Sequence, residues 1–583
     1  MISVLKFNRV LKAVDRSGVH TELEALLHPT GHGGRPRPLR ADVFVAALIV
    51  CAAHYKDVAL TNVHRVLTVD LDKTYREQLG VQFTAADGTP QTISVRQVRY
   101  LLDALENMLT TNPSQVPGLS EVERVERAEK LDRIVNAILG VSHPPGLAKP
   151  SVMAMDATAM QSWGKGKRRP VAPGSGLLAP GSDTRTSDGD TGQTEVYSID
   201  PDAAWGYCTK TYDNKTKNVF GYAMVTTVGV PDVGAAPGSM PILTWRMSLS
   251  PANADVVVPG LGLIDGLRRS RHHITELIDD RGFSGRDPKR WADPLRDRGI
   301  NHVFDLFACD HGVKDHDGVR MIDGTPHCPA TPDDLVMITR PANLGVGTLP
   351  RDATAAQKVD HKRQRKELAT FRARIAAREQ YAFRRVAGPD KTGKERWECP
   401  ARSAKVVCAN CPLSSFVATG DADSPPQVVD PPAIPTAPTC CRQTTVTIAG
   451  DVTAKIRQRL YGGSDRWIAS FKRRTHVEAS YGNLKNPKTE NIRRGWCFVV
   501  GLVKTSILVA AAMAAVNIRL LRAWAATSDF DDVLCEADPK GNYFIEYDAD
   551  GNPVSVEESD ADEADVDERH DDDPPPPLAG GPI

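Results

Sequence analysis

The chain has 583 residues, 41% of them hydrophobic and 25% charged, which excludes a single-core protein and is typical of a soluble protein with several domains. Its formal net charge of -1 hides an asymmetry: the segment from Asp529 onwards contains 19 acidic and 2 basic residues, and the preceding part contains 54 acidic and 70 basic residues. A basic body indicates a polyanionic partner, and the acidic tail could either compete for the same surface or only improve solubility.

The sequence gives no sign of export or of a membrane span. Its first residues contain no apolar segment of signal-peptide length, and the uncharged run at residues 505–518 has 14 residues, fewer than the roughly 20 that cross a bilayer. We therefore expect a cytoplasmic protein without a membrane partner. The 11 cysteines are expected to be reduced thiols or metal ligands rather than disulfides.

Residues 1–145 are predicted to form a helical N-terminal domain. Apolar residues are dense over residues 39–53 and 63–71 and recur at helical spacing over residues 95–109, and basic residues precede the first of these segments. The domain could bind DNA or mediate dimerisation, and a helical packing domain is the alternative. The Pro-rich run at residues 143–150 interrupts the chain as a linker would.

Residues 146–310 are predicted to form most of an α/β domain, in the order three strands, helix, strand, helix, strand. Hairpin-linked strands followed by right-handed crossovers give a mixed five-stranded sheet flanked by helices. Asp156 and Asp280 would both lie at strand ends near the sheet centre, where such sheets collect functional groups. The predicted strands are residues 151–158, 219–229, 242–249, 272–278 and 302–307, and the predicted helices are residues 254–267 and 288–298.

Residues 311–454 are predicted to form an insertion between this sheet and the following helices. They include a strongly basic helical run at residues 355–385 and a Pro-rich, irregular stretch at residues 423–438. Cys408 and Cys411 make a C-x2-C knuckle, and Cys399 with Cys440 or Cys441 could complete a four-thiolate zinc site. Reduced, partly buried thiols are the alternative.

Residues 455–526 are predicted to return to the sheet as two helices. One side of the first helix carries four residues within an arc of roughly 60°: Phe471, Arg474, Glu478 and Lys485. The neighbouring stripe of Val477, Tyr481 and Leu484 can pack against the sheet. The second is an apolar, buried helix within residues 496–518, and residues 527–583 are an acidic, Pro-rich tail that we expect to be disordered.

Three carboxylates from separate parts of the chain could therefore meet: Asp156, Asp280 and Glu478. Hard oxygen ligands suit Mg²⁺ or Mn²⁺, and two such ions can activate the attacking oxygen and stabilise the leaving oxygen in phosphoryl transfer. Basic side chains beside the carboxylates could hold a nucleic-acid backbone. A solvated helix face with ordinary salt links and isolated turn aspartates is the alternative.

Over residues 35–525 the sequence resembles the DDE transposases of bacterial insertion sequences, which have a ribonuclease-H-like catalytic domain. The resemblance rests on four short matches in the family's order. They are MDAT around Asp156, DPDA at residues 200–203 followed by Gly221 and Tyr222, DRGF at residues 280–283, and the tyrosine-x2-arginine-x3-glutamate-x6-lysine signature, which here reads Phe471, Arg474, Glu478, Lys485.

The resemblance implies that Asp156, Asp280 and Glu478 bind two Mg²⁺ (or Mn²⁺) ions and are catalytic. It implies DNA contacts for Arg474, Lys485, Arg281 and Phe471, although the Phe in place of Tyr lacks one phosphate hydrogen bond. DRGF spacing favours Asp280 over the adjacent Asp279 as the second acid. Trp291, Trp397, Trp467 or Trp496 could stack on a flipped DNA base, and core packing is the alternative.

These observations predict a DNA transposase that cuts at the terminal inverted repeats of its element and joins the freed ends to target DNA. Its partners would be double-stranded DNA and a second copy of the chain in a synaptic complex. An inactive DNA-binding protein derived from a transposase and a nuclease that does not join DNA are the alternatives. Removal of residues 529–583 is expected to tighten non-specific DNA binding, because net negative charge next to a basic body is lost.

Overall fold

The protein is a mixed α/β protein in which helices from both ends of the chain cover one six-stranded sheet. The computed structural model describes residues 2–27, 39–85, 87–170, 194–209, 216–391, 393–409, 411, 425–433, 436–493 and 496–536, together with two short tail strands. Arg35 and Arg37, two of the basic residues that precede the first predicted helical segment, lie outside the described residues, as do most of the tail and four residues of the Pro-rich stretch, 423, 424, 434 and 435.

The N-terminal part is helical, as predicted. Ser94 and Ser120 each form a capping box, with Gln97 and Glu123 respectively, which fixes where the sixth and seventh helices begin. A π-helical turn at Val66–Asp70 extends the fourth helix, and the hairpin of β1 (Gln82–Thr84) and β2 (Pro90–Thr92) precedes the sixth. The helices are α1 (Val4–Ser17), α2 (Val19–Leu27), α3 (Ala41–Tyr55), α4 (Leu60–Arg65), α5 (Lys73–Gln78), α6 (Val95–Leu109) and α7 (Glu121–Gly140).

The central sheet has the strand order β10-β9-β3-β7-β6. The sixth strand, β8, also pairs with the long strand β7: β6 pairs with the first part of β7, residues 216–221, and β8 pairs with the second part, residues 222–228. Strand β7 is antiparallel to β3, β6 and β8, whereas β9 runs parallel to β3 and β10 runs parallel to β9. A separate hairpin, β4 (Lys167–Pro170) with β5 (Thr194–Tyr197), follows β3. The sheet strands are β3 (Val152–Gln161), β6 (Ala204–Thr209), β7 (Thr216–Gly229), β8 (Thr244–Pro251), β9 (Glu276–Ile278) and β10 (Asn301–Val303).

All five predicted strands are found in this mixed sheet, with differences at their ends. The fourth begins at Glu276 rather than at residue 272, and the fifth ends at Val303 because the amide of Phe304 donates to Gln458 Oε1 instead of a strand. Strand β6 was not predicted. The predicted helix at 254–267 is α8 (Val257–Arg269), followed by the short α9 (Arg281–Ser284), whereas the one at 288–298 is broken into a 3-10 turn at Pro288–Arg290 and α10 (Ala292–Asp297).

The inserted segment has its own apolar cluster, separate from the core of the sheet. Its basic helix ends at Gln380, earlier than predicted, because the chain reverses there and Arg384 begins a strand. The elements are a 3-10 turn (Ala308–Asp310), β11 (Val313–His316), β12 (Val319–Ile322), β13 (Thr325–His327), α11 (Asp333–Val336), α12 (Ala355–Gln380), β14 (Arg384–Ala387), β15 (Glu395–Glu398), α13 (Thr439–Arg442) and β16 (Thr445–Ile448).

The helix predicted over residues 471–485 is interrupted. It consists of α14 (Asp465–Phe471), a 3-10 turn at Lys472–Arg474 and α15 (Thr475–Lys485). Arg473 in this turn is buried, and its guanidinium pairs with Glu276 and donates to the carbonyl oxygen of Pro231. The last long helix is α16 (Leu502–Ala525), and the tail contains β17 (Glu546–Tyr547) and β18 (Pro553–Val554).

Helix α16 is the centre of the largest apolar cluster. It packs on α3 and α7, and the same cluster includes one face of the sheet and the buried side of α15. By length and composition α16 could cross a membrane, as could α3 and the bent segment after it taken together, but 78% of the most apolar window of α16 is buried in the protein. Its apolarity is therefore explained by packing.

Candidate active site

Asp156 and Asp280 are neighbours near the centre of the sheet. Asp156 lies within β3, which continues to Gln161 instead of ending at the aspartate as predicted, and Asp280 follows the parallel strand β9. Strands β3 and β9 pair with Ala154 opposite Ile278, and each aspartate is two residues beyond its member of that pair. Because side chains alternate between the faces of a sheet, both carboxylates point to the face that α15 covers. Asp280 also accepts a hydrogen bond of 2.8 Å from the amide of Gly282 and so caps α9.

The adjacent Asp279 points to the opposite face of the sheet and is fully buried. Its carboxylate accepts a 2.8 Å hydrogen bond from Trp291 Nε1, and both of its oxygens lie 2.8 Å from His302 Nε2. Burial raises the pKa of Asp279, and its contacts with His302 and Trp291 act in the opposite direction. The alternation of the strand therefore separates a buried structural acid from an acid in the site, which the spacing of DRGF also favours.

Glu478 approaches the two aspartates from helix α15. The helix is held on the sheet by its buried side, Val477, Tyr481 and Leu484, as the sequence pattern predicts. The hydroxyl of Tyr481 donates to the main-chain oxygen of Asp156 at 2.6 Å and accepts from Thr226 Oγ1 at 2.8 Å. Since Glu478 lies one turn before Tyr481, this anchor places its half-exposed carboxylate beside Asp156.

Arg474 lies between two of the acids. One guanidinium nitrogen is 2.6 Å from Glu478 Oε1 and the other is 3.4 Å from Asp156 Oδ2. The guanidinium carbon also lies 5.8 Å from the centre of the Phe471 ring, which stacks on Trp467 with 4.8 Å between the ring centres. Phe471 thus supports Arg474 through its ring, a role that does not need the tyrosine hydroxyl.

The site has an excess of negative charge. Burial and the neighbouring charge of Asp280 raise the pKa of Asp156 to about 7, with a further contribution from Glu478, while Arg474 and the amide of Ala157 act in the opposite direction. A nearby cation stabilises the ionised form of a carboxyl group whose pKa is raised in this way. The arrangement is thus electrostatically suited to a divalent metal or to a positively charged group.

The other two predicted DNA-binding residues have partners within the protein. Lys485 Nζ donates to Thr158 Oγ1 at 2.7 Å and to the main-chain oxygen of Ala159 at 2.8 Å, further along β3 on the same face as Asp156. Arg281 pairs with Asp305, which also binds Arg340. Although burial acts to raise it, hydrogen bonds from these two arginines lower the pKa of Asp305.

Within the described ranges, no group of three or more His, Cys, Asp or Glu side chains is arranged to hold a metal ion. In the acidic site this agrees with the position of Arg474 between Asp156 and Glu478. The three oxygen-bearing side chains are nevertheless of the type that Mg²⁺ and Mn²⁺ prefer. The residues brought together are therefore Asp156, Asp280, Glu478 and Arg474, with Lys485 further along the same strand.

The predicted cysteines lie in the insertion, away from this site. Cys399 and Cys440 are buried, and Cys408 and Cys411 pack against the same apolar cluster. Cys328, which sequence reasoning did not include because it is distant along the chain from the knuckle, is buried in that cluster as well.

The four tryptophans considered for base stacking are used in packing. Trp291, Trp467 and Trp496 are buried, and Trp397 is partly buried against the insertion cluster.

Comparison with protein-family models, with curated proteins and with solved protein structures found no match to this chain.

Proposed function

We propose that this protein is a DNA transposase that uses Asp156, Asp280 and Glu478 for metal-dependent phosphodiester chemistry. The supporting observation is their convergence: Asp156 lies within β3, Asp280 follows the neighbouring parallel strand β9, and Glu478 comes from a helix bound to the same face. Each side chain comes from a distant part of the chain, and the pKa of Asp156 responds to both of the others. The buried Tyr481, which binds the main chain of Asp156, fixes the helix that carries Glu478 on the sheet, and an incidental surface cluster would not need such an anchor.

The topology of the sheet supports a ribonuclease-H-like catalytic domain. Three antiparallel strands, β3, β7 and β8, are followed by β9 and β10, which add on the other side of β3 in parallel. The two aspartates lie on β3 and directly after β9, as the resemblance to DDE transposases implies. The insertion between the second aspartate and the glutamate has its own core, which fits a domain inserted into such a fold.

Asp156, Asp280 and Glu478 would hold Mg²⁺ or Mn²⁺, which supplies activation of the attacking oxygen and stabilisation of the leaving oxygen. Arg474 now provides the positive charge between Asp156 and Glu478. When cations occupy the site, we expect Arg474 to turn towards a DNA phosphate, because its guanidinium is suited to bidentate phosphate contacts. Phe471 would remain its support.

The proposed reaction has two steps at the same acids. In the first, water attacks the phosphorus at the element end, the bond from phosphorus to the 3′ oxygen breaks, and a 3′ hydroxyl and a 5′ phosphate are released. In the second, that 3′ hydroxyl attacks a phosphodiester of target DNA, forming one bond and breaking another. The number of phosphodiester bonds is unchanged in the second step, so no nucleotide hydrolysis is needed. Two DNA ends would require two copies of the chain.

The test uses purified full-length protein, labelled DNA carrying the inverted repeats that flank the gene, Mg²⁺ and a plasmid target. Joined product supports the transposase, cut product alone supports the nuclease, and binding alone supports the inactive DNA-binding protein. Asp280→Asn should abolish both products. Asp279→Asn is the matched control, because it keeps the site carboxylate and should retain activity per folded molecule; the reverse result would contradict the assignment of the second acid.

A further inference from the structure

The insertion brings together six of the 11 cysteines of the chain. They come from four separated stretches, which together hold three buried and three partly buried thiols in one apolar cluster. The buried ones are Cys328, Cys399 and Cys440, and the partly buried ones are Cys408, Cys411 and Cys441. The apolar core around them is small, so it provides limited stabilisation of its own.

The backbone holds two of these stretches in register. Cys399 directly follows β15, which pairs with β16 so that Glu398 lies opposite Thr445. Cys440 and Cys441 belong to α13, which ends shortly before β16 begins. The pairing of the two strands therefore keeps Cys399 close to the cysteine pair.

The other two stretches are held by main-chain hydrogen bonds. The amide of Cys411 donates to the carbonyl oxygen of Cys408 at 3.2 Å, which brings the two ends of the C-x2-C segment together. Cys328 follows β13, and its amide donates to the carbonyl oxygen of Tyr381 at 2.9 Å.

The two adjacent cysteines of α13 have different environments. Cys440 is 1% exposed and its Sγ lies 3.6 Å from the carbonyl oxygen of Gly318, so it is directed at the hairpin β11–β12. Cys441 is less buried and, like Cys408 and Cys411, packs at the edge of the apolar cluster. Cys441 is therefore the better placed of the pair to join the knuckle.

We propose that the insertion contains a structural zinc site that stabilises its fold, with four thiolate ligands: Cys399, Cys408, Cys411 and Cys441. Four thiolates are a common ligand set of structural Zn²⁺, which they bind in tetrahedral geometry. The thiols are gathered in this structure without forming a closed ligand shell, so binding would draw them together, as metal binding commonly completes the folding of small domains. The proposal is independent of the catalytic activity proposed above.

Metal content tests the site directly. Full-length protein purified under reducing conditions and reconstituted with Zn²⁺ should retain about one ion per chain, and Co²⁺ in its place should give the intense visible absorption of tetrahedral thiolate coordination. Absence of bound metal from wild-type protein, with the cysteines found as disulfides or as free thiols, would overturn the site.

Variants test the ligand assignment. The double variant Cys408→Ser, Cys411→Ser should lose the metal, whereas Cys309→Ser, an exposed thiol outside the cluster, should keep it. Cys441→Ser should lose it and Cys440→Ser should keep it. If a variant does not fold, Co²⁺ spectra of the single variant Cys411→Ser, compared with those of the wild type, should show the loss of one thiolate. Retention of metal by the double variant overturns the site, and loss only in Cys440→Ser overturns the ligand set.

Discussion

Two acidic motifs of similar composition have opposite environments in this protein. At one end of the sheet, Asp200 of the DPDA segment is 1% exposed and accepts hydrogen bonds from the hydroxyls of Ser162 and Tyr222 and from the amide of Gly501. Asp202 accepts from the amide of Leu502 and thereby binds the start of α16. On the face of the sheet that α15 covers, Asp156 accepts one amide hydrogen bond from its own neighbour, Ala157, and otherwise faces two acids and one arginine.

Burial of an aspartate therefore does not by itself indicate function. Asp200 is buried with its hydrogen bonds made inside the protein, so its charge is compensated by the fold. Asp156 is buried beside two other acids whose negative charge Arg474 compensates only in part, so its carboxylate is available to a ligand that brings positive charge. The DPDA segment at residues 200–203, one of the motifs on which the resemblance rests, therefore has a structural role: it links the sheet to the start of α16.

The largest expected effect is the loss of activity in Asp156→Asn and Asp280→Asn. Losing a metal ligand removes several kcal/mol of transition-state stabilisation, or about a thousandfold or more in rate. Both variants should still fold, because neither carboxylate is a main support of the core. Initial rates of cleavage at labelled ends measure the loss, and circular dichroism checks the fold. Activity within about tenfold of the wild type would contradict the proposed site.

Substitution of Asp200 should instead lower the stability of the protein. Asp200→Ala leaves several buried donors, including the Tyr222 hydroxyl, without their acceptor and is expected to cost roughly 3–5 kcal/mol of stability. Asp156→Ala is the matched comparison and should cost much less. Urea unfolding of the two variants measures the contrast, and equal destabilisation would remove the distinction between the two motifs.

Ionisation of Asp156 as the pH rises should lower the stability of the protein and raise its activity. Its pKa in the folded protein, about 7, is above the ordinary value, so its contribution to stability is present below about pH 4 and is lost as the pH rises through about 7. Without divalent cations, the Tm of the wild type should therefore fall relative to that of Asp156→Asn over this range.

Metal-dependent cleavage should instead decrease below about pH 7, because the ligand must be ionised to bind a cation. A difference in Tm between the two proteins that does not change with pH would contradict the raised pKa. A pH profile of cleavage at saturating DNA provides the second measurement.

The smallest expected effect concerns the tail. Its first residues are docked on α1, where Arg16 pairs with Asp532 at 2.6 Å and Arg9 pairs with Glu536 at 3.3 Å. Removal of residues 537–583, which contain 15 acidic and 2 basic residues, keeps these contacts. We expect non-specific DNA binding to tighten severalfold at about 50 mM salt and the difference to shrink towards about 200 mM. Equal affinities across the salt series would contradict competition by the tail.

Local sequence patterns were sufficient for the five main strands and the principal helices. Apolar alternation and helical spacing, as in Val95–Leu109, are properties of neighbouring residues and do not depend on the rest of the chain. The motifs around Asp156, Asp280 and Glu478 likewise selected the acids that the structure brings together. The edge strand β6 was not predicted, because its pairing with β7 rather than a local pattern defines it.

Other features depend on partners that are distant in sequence, so they could not be predicted from local patterns. Arg473, in the 3-10 turn before Glu478, contacts Glu276 and Pro231, and Arg281 pairs with Asp305 on another segment. The faces of Asp279 and Asp280 are set by the pairing of β9 with β3. Residue types and their spacing are enough to select side chains with the chemistry for a phosphate-handling site, whereas long-range packing and electrostatics establish which of them lie together.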